Sequence, residues 1–272
     1  MLRSVAKSLL VPSKLEQSIS RMPVRTGPEG WDPWGLNPEA AKIGLAVFKL
    51  LYDHYFRVIA RGLENIPASG RVMVVANHSG QLPFDGALVS VAMATNPYGP
   101  RIPRPMVERF FPTVPFVSKW LMETGSVIGD PVNCIRMLQR EDAVVVFPEG
   151  VRGAGKKFSD RYRLMRFGHG FLHIAIETNT PIVPVGIVGC EETMPAFWHV
   201  NWLARLLKVP YVPVTIPFPL PARVRLLFGE PLRFSSEDVT EEGVAPLVEQ
   251  VKGAIRRLIQ QGLAERKGIF RG

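Results

Sequence analysis

Short apolar runs that stop abruptly at polar residues recur along the chain. Val72–Ala76 and residues 143–147 are rich in β-branched side chains, and residues 181–188 form a third run of the same kind. Continuous apolar runs of this length are typical of strands that are buried on both faces of a parallel sheet. Segments with helical periodicity lie between them. The pattern therefore predicts a single α/β domain in which helices cover a mostly parallel central sheet.

The same pattern divides the chain into regions. We predict a basic tail and an aromatic clasp over residues 1–38, followed by an amphipathic helix within residues 39–60 that packs on the core or contacts a membrane. The main domain is expected at residues 61–272. It contains an aromatic segment, residues 191–221, in which periodicity fails and which is expected to form a cap or a membrane-facing lip.

Individual elements are predicted from period and turn residues. The first helix covers residues 40–59, and residues 96–105 are predicted to be a connection rich in proline and glycine. An aromatic stretch at residues 110–117 follows that connection. Further helices are predicted at residues 83–94, 118–123, 133–139, 167–177 and 244–263, and further strands at residues 125–128 and 223–228.

Charge and cysteine usage narrow the range of partners. The formal net charge is +9, from 33 Lys and Arg against 24 Asp and Glu. This excess predicts an anionic partner such as a membrane surface, an acidic cofactor or a nucleic acid, and charge alone leaves these open. The sequence contains no base-reading module, so no nucleic acid is expected. Cys134 and Cys190 lie in no paired motif and are expected to be reduced thiols.

The hydropathy pattern predicts peripheral rather than transmembrane association. A transmembrane helix needs roughly 20 consecutive apolar residues. The most apolar candidate, residues 43–52, is interrupted by Lys49 and bounded by Lys42 and Asp53. Any membrane contact is therefore expected at a surface.

Candidate chemistry follows two of the predicted strands. His78 comes just after the first run, and Asp85 falls in the first turn of the next predicted helix. Glu149, Gly150 and Arg152 come just after residues 143–147. Because the carboxyl ends of parallel strands share one edge of the sheet, where ligands usually bind, we expect these residues to form one site.

These residue types suit proton transfer and anion recognition. A neutral imidazole can remove a hydroxyl proton, while a carboxylate fixes its tautomer and stabilises the imidazolium. The guanidinium of Arg152 offers planar, charge-assisted donors for a phosphate. The alternatives are incidental polar neighbours on a loop for His78 and Asp85, and a salt bridge for Arg152.

The sequence gives weaker support to two other kinds of site, a serine hydrolase site and a metal site. Ser79 adjoins His78, but the sequence around it lacks the glycine-flanked nucleophile elbow of a serine hydrolase. His169 and His173 are spaced as metal ligands on a helix, yet no acidic residue lies in the familiar intervening pattern, so a structural role is expected and no metal site.

Together these segments resemble the glycerolipid acyltransferase family that includes bacterial 1-acylglycerol-3-phosphate acyltransferases, and more particularly its monoacylglycerol and diacylglycerol acyltransferase-like branch. Asn77-His78 with Asp85 is similar to the family's catalytic histidine–aspartate block. Residues 147–152, Phe-Pro-Glu-Gly-Val-Arg, are very similar to its third block and are the most specific match. The second and fourth blocks fall at residues 125–131 and 182–185, and the whole resemblance covers residues 58–232.

The resemblance implies transfer of a fatty acyl group from acyl-CoA, or from acyl carrier protein, to a hydroxyl of a glycerolipid such as a lysophospholipid, monoacylglycerol or diacylglycerol. His78 would act as general base and Asp85 would orient it, with no metal, no cofactor and no acyl-enzyme. The implied acceptor-binding residues are Glu149, Gly150 and Arg152, and the candidates for contacts with the donor or with phosphate are Arg161 and Arg163.

Two departures from the family pattern carry expectations of their own. Six residues separate His78 from Asp85, more than is usual in the family, so the loop must bulge to bring the two groups together. Asp130 and Pro131 stand close to where enzymes with phosphate-bearing acceptors usually carry an arginine. That difference favours a neutral or larger lipid hydroxyl as acceptor, unless Arg136 or the basic cluster over residues 156–166 takes the place of the arginine.

The resemblance further implies membrane lipids, together with acyl-CoA or acyl carrier protein, as partners and a peripheral location on the cytoplasmic side of a membrane. A non-catalytic, membrane-associated lipid-binding protein of the same fold is the alternative. It is motivated by the longer spacing between His78 and Asp85.

Overall fold

The structure, a computed structural model, describes residues 13–20, 22, 26–108, 117–207 and 209–271. The helices in these ranges are α1 (Ser13–Ser20), α2 (Pro38–Leu50), α3 (Phe84–Ala94), α4 (Val117–Glu123), α5 (Pro131–Gln139), α6 (Val151–Ala154), α7 (Gly170–Glu177), α8 (Cys190–Thr193), α9 (Asn201–Leu207) and α10 (Ala245–Glu265). The strands are β1 (Ile59–Arg61), β2 (Val72–Ala76), β3 (Pro103–Val107), β4 (Val127–Ile128), β5 (Ala143–Val146), β6 (Ile182–Val188), β7 (Trp198–His199), β8 (Pro213–Val214) and β9 (Arg225–Phe228).

Seven strands from the described part of the chain form the central sheet, in the order β1-β9-β6-β2-β5-β3-β4. The five strands from β6 to β4 in this order pair in parallel. β9 is antiparallel to β6 and β1 is parallel to β9, so these two strands run in the opposite direction to the others. The predicted α/β domain with a mostly parallel sheet is confirmed. β7 and β8 pair separately as a short ribbon.

Helices cover both faces of the sheet because the side chains of each strand alternate between the faces. In β2, Val72, Val74 and Ala76 pack into a core that includes residues of α2 and α3. Met73 and Val75 pack into the opposite core, to which α5, α7 and α10 contribute. Full burial of a side chain of this size contributes about 1.5–3 kcal/mol, so the run Val72–Ala76 anchors both layers.

Asp130 serves as the N-terminal cap of α5. Its carboxylate accepts a hydrogen bond from the backbone N–H of Val132 at 2.9 Å, and Pro131 occupies the first turn. A carboxylate at this point satisfies an orphan backbone donor and suits the helix dipole. The residue that stands close to the family's usual arginine therefore has a structural role in this chain.

The predicted helix over residues 40–59 is wrong at its end. α2 stops at Leu50, continues as one π-helical turn over Leu51–Tyr55, and gives way to β1 at Ile59. Arg57 adopts a positive φ of 44°, a conformation that a helix cannot continue through. The helix packs partly on the core, as one of the two predicted roles requires, because Leu45 and Ala46 are buried.

The predicted connection over residues 96–105 is wrong in its second half, where β3 begins at Pro103. Proline is tolerated in strands where one side is not paired. Within the described residues, β4 pairs only with Met106 and Val107, so the proline-containing half of β3 is paired with β5 alone. The strand therefore accommodates prolines although it lies inside the sheet order.

The aromatic clasp docks on the amino-terminal side of β3. The Asp32 carboxylate lies 2.7 Å from the guanidinium of Arg104, and both side chains are almost fully buried. Trp34 lies under the guanidinium groups of Arg104 and Arg140 and donates its indole N–H to Asn133. Within the predicted basic tail, residues 13–20 form α1. Residues 1–12 of the tail, and residues 110–116 of the aromatic stretch, lie outside the described residues.

No helix in the described ranges combines the length and the apolar character that a transmembrane span requires.

Candidate active site

The polar residues that follow four neighbouring parallel strands meet at one edge of the sheet. His78 follows β2 closely, and the strands on either side of β2 lead to Glu149 and Glu191. Glu108 comes directly after β3, the next strand beyond β5. This carboxyl edge is where open α/β sheets bind ligands. The strand pattern predicted His78 and Glu149 here, and the same rule applied to β3 and β6 yields the two further acids.

Asn77 fixes the start of the loop that carries His78, residues 77–83, which we call the histidine loop. The fully buried Asn77 amide donates to the Ile187 carbonyl at 3.1 Å and accepts from the Ile187 N–H at 2.7 Å. The side chain thus continues the pairing of β2 with β6 after the last backbone pair, which joins Ala76 and Val185. The histidine loop leaves the sheet in one defined direction.

The structure brings His78 and Asp85 together. The Nδ1 atom of His78 lies 2.6 Å from Oδ2 of Asp85, whose side chain is fully buried. The same oxygen accepts from the backbone N–H of Ser79 at 2.8 Å, and Oδ1 accepts from that of Gly86 at 2.7 Å. Because an ionised carboxylate only accepts hydrogen bonds, this arrangement places a proton on Nδ1. Nε2 is then the ring nitrogen that can take a proton from a substrate.

The six-residue spacing between His78 and Asp85 is accommodated by a glycine turn. Gly80 has a φ of 95°, in the region that favours glycine, and a Cβ at this position would lie 3.2 Å from the Cys190 carbonyl oxygen. Pro83 then precedes α3 directly and delivers Asp85 in its first turn. The longer loop therefore does not separate the two groups. The spacing was the reason for considering a non-catalytic lipid-binding protein, and the structure removes that reason.

Glu149 holds the histidine loop through a hydrogen bond to its main chain. Its side chain is buried, with Oε1 accepting from the backbone N–H of His78 at 2.9 Å and Oε2 accepting from that of Met165 at 2.7 Å. Both oxygens are engaged with the protein's own main chain. The predicted contact of Glu149 with an acceptor stays a prediction, and the bonding pattern assigns this carboxylate a positioning role.

Close packing also restrains the imidazole. The His78 ring lies against Phe147, with ring centroids 4.6 Å apart and an interplanar angle of 31°. On α6, a Cβ added at Gly153 would lie 2.8 Å from the Cβ of His78 and 2.6 Å from that of Glu149. Only glycine permits this approach, so α6 abuts the histidine loop directly.

The charges around His78 favour its protonated form. Burial lowers the pKa of the imidazole, but the charge and hydrogen bond of Asp85, followed by the charge of Glu149, outweigh burial and raise this pKa above its ordinary value. The Lys156 ammonium opposes the rise. A base with such a pKa accepts a proton readily and holds it well during a reaction.

A buried ion pair connects the Glu149 side of the site to the end of β6. The Lys156 ammonium lies 2.7 Å from Glu191 Oε1 and 3.7 Å from Glu149 Oε2, and all three side chains are 5% exposed or less. It also donates to the Arg163 carbonyl at 3.2 Å. Lys156 therefore joins the segment after β5 to the segment after β6. The segment after β5 also carries the predicted phosphate contacts Arg152, Arg161 and Arg163.

A cavity of about 260 Å³ opens beside the His78–Asp85 pair. It extends between α2, α3 and α4, and its described wall is mainly apolar. Large apolar side chains in this wall are Leu45, Phe48, Met106, Trp120, Leu121 and Phe147. Gly150, predicted to bind the acceptor, also lines it, whereas the described lining includes neither Glu149 nor Arg152.

Glu108 is a cavity residue that the sequence predictions missed. Its Oε1 accepts from the backbone N–H of Val151 at 3.1 Å, and a Cβ at Gly150 would lie 2.8 Å from the same oxygen. The Glu108 carboxylate thus rests on the turn formed by the Phe-Pro-Glu-Gly block, at the wall of the cavity. The sequence signal, an acid at the end of a strand, was hidden because β3 was predicted to be a connection.

The predicted phosphate contacts are exposed. Arg152 is exposed and donates to the Arg166 carbonyl at 3.5 Å. The Arg161 guanidinium stacks over Phe158 at 4.7 Å, and that of Arg163 lies 3.7 Å from the Asp160 carboxylate. Because these arginines face solvent, they are accessible to a ligand outside the cavity, and their roles stay predictions.

The weaker candidates have other surroundings. Ser79 is buried and does not appear in the described lining of the cavity. His169 and His173 are exposed, so the predicted structural role for this pair is not supported by burial. Within the described residues no group of three His, Cys, Asp or Glu side chains could hold a metal ion. Cys134 and Cys190 are free and buried.

An exposed aromatic surface lies next to the segment after β5. We define it by Phe197, Trp198, Trp202, Leu206, Leu207 and Phe218, all of which are exposed. The Phe158 N–H donates to the Ala196 carbonyl at 2.8 Å, and the Lys157 ammonium lies 4.7 Å from the centre of the Trp198 ring. The surface is therefore attached to residues that are close in sequence to the buried Lys156.

The sequence profile of the Acyltransferase family matches residues 57–188. An uncharacterised protein of Mycobacterium tuberculosis is 37% identical over 262 residues, which cover 91% of this chain and 73% of that protein. A human protein named "DGAT1/2-independent enzyme synthesizing storage lipids" is 25% identical over 205 residues, which cover 74% of this chain and 60% of that protein.

The fold is also similar to a solved structure. The 1-acyl-sn-glycerophosphate (LPA) acyltransferase PlsC from Thermotoga maritima matches with a TM-score of 0.57 and 22% sequence identity. The match covers 85% of this chain and 80% of that one. At this identity the likeness concerns the fold.

Proposed function

The chain belongs to the acyltransferase family, and from this membership we propose that it moves a fatty acyl group from acyl-CoA, or from acyl carrier protein, to a hydroxyl of a glycerolipid. The observation that carries the proposal is the 2.6 Å pairing of His78 with Asp85 at the wall of an apolar cavity. The named human relative, which synthesises storage lipids, supports the lipid class of the acceptor.

The reaction needs one proton shuttle. Nε2 of His78 takes the proton of the acceptor hydroxyl while the oxygen attacks the thioester carbonyl, and Asp85 stabilises the imidazolium that forms. The tetrahedral intermediate then collapses, the carbon–sulfur bond breaks, and the leaving thiolate receives the proton from His78. The new carbon–oxygen bond is the ester. No atom of the protein is acylated in this sequence.

The cavity suits the apolar part of a lipid substrate. Its described lining combines the apolar side chains of Leu45, Phe48 and Trp120 with the His78–Asp85 pair. Burial of a hydrocarbon chain there removes apolar surface from water and holds the reactive end near Nε2. The exposed Arg152, Arg161 and Arg163 are suited to phosphate groups of the donor, which remain outside the cavity.

An acceptor panel tests the function. Purified protein is offered labelled acyl-CoA or acyl-carrier protein together with a monoacylglycerol, a diacylglycerol, a lysophosphatidate and glycerol, and the labelled esters are separated. We expect transfer to at least one lipid hydroxyl and none to glycerol, because glycerol has no chain to occupy the cavity. Folded, lipid-bound protein that transfers to none of these acceptors from either donor would instead support the lipid-binding alternative.

Membrane association is a further part of the proposal, and the aromatic surface is the element that supports it. Trp and Phe side chains insert at the boundary of headgroups and acyl chains, and nearby cations attract anionic lipids. Lys157 and Arg205 lie at or within this surface, and the chain carries a net charge of +9. The surface would hold the segment after β5 at the lipid layer that supplies the acceptor.

Replacing Trp202 and Phe218 together with serine is expected to weaken vesicle binding by about tenfold or more, since each ring can bury a large apolar area in lipid. The two side chains are 68% and 78% exposed, so the substitutions should leave the folded state intact. Cosedimentation with vesicles of neutral and of anionic lipid at low salt measures the effect. Tyr98→Ser is the control, because Tyr98 is 64% exposed after α3, on the amino side of the sheet.

Equal binding of the double variant and the parent protein would contradict the role of the aromatic surface. Equal binding of the parent protein to neutral and to anionic vesicles at low salt would contradict the electrostatic part.

A further inference from the structure

The cavity beside His78 carries negative charge in its described wall. Its described lining includes three charged or titratable side chains: His78, Asp85 and Glu108. When His78 is neutral, as a general base must be, the two carboxylates make this part of the wall anionic. None of the described lining residues is a lysine or an arginine.

Glu108 is held in place on the turn at Gly150, which lines the cavity. Its Oε1 accepts from the Val151 N–H at 3.1 Å, the first amide after Gly150. The hydrogen bond fixes the carboxylate beside Gly150, which also lines the cavity. Glu108 therefore adds a negative charge at a defined point of the cavity wall.

The field of Glu108 extends across the site. Burial, followed by the charges of Asp85 and Glu108, raises the pKa of Tyr211 to about 12. Tyr211 packs near α6, since a Cβ at Gly155 would lie 2.9 Å from its ring. The effect of Glu108 thus reaches a side chain that packs close to α6, which itself abuts the histidine loop.

Two cations on the segment after β5 make their contacts outside the cavity lining. Arg152 is exposed and bonded to the Arg166 carbonyl, and Lys156 is enclosed between Glu149 and Glu191. Neither of these two cations belongs to the described lining of the cavity.

Because Glu108 lines the same cavity as the His78–Asp85 pair, we infer that it is a specificity-determining residue that excludes acceptors with a phosphate beside the reacting hydroxyl. The acceptor is then an uncharged lipid alcohol such as a monoacylglycerol or diacylglycerol. The inference rests on the proposed function, because it concerns the hydroxyl that His78 deprotonates. In a lysophosphatidate, the phosphate lies within a few bonds of that hydroxyl. It must enter the same part of the cavity as the carboxylate, and like charges brought together without water between them repel strongly.

The test compares kcat/KM for a monoacylglycerol and a lysophosphatidate of equal chain length, both in the same neutral detergent micelles. The parent protein is expected to favour the neutral acceptor by about tenfold or more, and Glu108→Gln to reduce that preference by about tenfold, since glutamine keeps an acceptor for the Val151 N–H while losing the charge. Glu108→Ser is measured as well, in case the glutamine variant lowers the folded fraction. Glu241→Gln, which removes an exposed acid outside the described lining, is the matched control and should leave the ratio unchanged.

The possible outcomes distinguish failure of this inference from failure of the proposed acyltransferase function. Transfer by the parent protein to both acceptors with equal efficiency would overturn the role of Glu108 and leave the acyltransferase reaction standing. An unchanged ratio in a folded Glu108 variant would do the same. Transfer to no acceptor at all would overturn the proposed function, and this inference with it.

Discussion

Replacing His78 with alanine is expected to lower the rate of acyl transfer by a factor of about 10² to 10⁴, the usual contribution of a positioned general base. The effect should fall on kcat, because the base acts when the hydroxyl oxygen attacks and contributes little to binding of the ground state. The measurement is kcat and KM with the best acceptor of the panel. His78 is partly exposed at the cavity wall, so the protein should still fold, as circular dichroism and thermal unfolding can verify.

Asp85→Asn distinguishes a base from a merely structural histidine through the pH profile. The base acts when unprotonated, so the rate of the parent protein should rise with pH through a midpoint above the ordinary pKa of histidine. Burial lowers this pKa, and Asp85 is the foremost of the groups that raise it. Loss of the Asp85 charge should therefore move the midpoint to lower pH, while the maximal rate falls because the imidazolium is less stabilised. A folded His78→Ala protein with parental turnover would refute the assigned base.

Replacing Lys156 with methionine is expected to lower the free energy of unfolding by about 3–5 kcal/mol, the usual cost of leaving one member of a buried ion pair without its partner. Lys156 lies 2.7 Å from Glu191, and their side chains are 3% and 5% exposed. The loss arises because the Glu191 carboxylate, and with it that of Glu149, stays desolvated while the cation between them is gone. Urea unfolding monitored by fluorescence measures the change, and the slope of the transition should be unaltered.

Two further variants identify the cause of that loss. Lys156→Met combined with Glu191→Gln should recover a large part of the stability, because the amide is uncharged and can still accept from the Tyr162 N–H that Glu191 binds. Lys119→Met should change the stability by less than about 1 kcal/mol, since the Lys119 side chain is 78% exposed and pairs with Glu123 at 3.8 Å. A double variant as unstable as the single one would show that lost packing, not the orphaned charge, is responsible.

The strands that the sequence predicted best are those with a uniform environment. β2 and β5 are buried on both faces, so all their residues are apolar and most of them are valine, and the structure confirms both runs. β3 violates that uniformity with Pro103 and Pro105, and its strand character comes from pairing with β5, which is a tertiary effect. Local pattern could not reveal a strand that is defined by its neighbour.

The sequence predicted the site residues that follow evident strands or lie in a family block, and missed the others. His78 and Asp85 were found because they lie close in sequence and the family block marks them, and the acid of the Phe-Pro-Glu-Gly block because it follows an evident strand. Glu108 was missed because β3 was not predicted to be a strand. The direction in which a side chain points could not be predicted either. Glu149 bonds the His78 main chain, and Arg152 is exposed to solvent.

The pairing of Asn77 with Ile187 also sets the order in which the site can form during synthesis. The two residues are 110 positions apart, so the partner of Asn77 leaves the ribosome about 5 to 20 seconds later at usual elongation rates. In that interval His78, Asp85 and Glu149 are all synthesised, but the histidine loop lacks the strand that directs it. A nascent chain therefore contains its chemical groups well before it has an active site, and competence for the reaction arrives with β6.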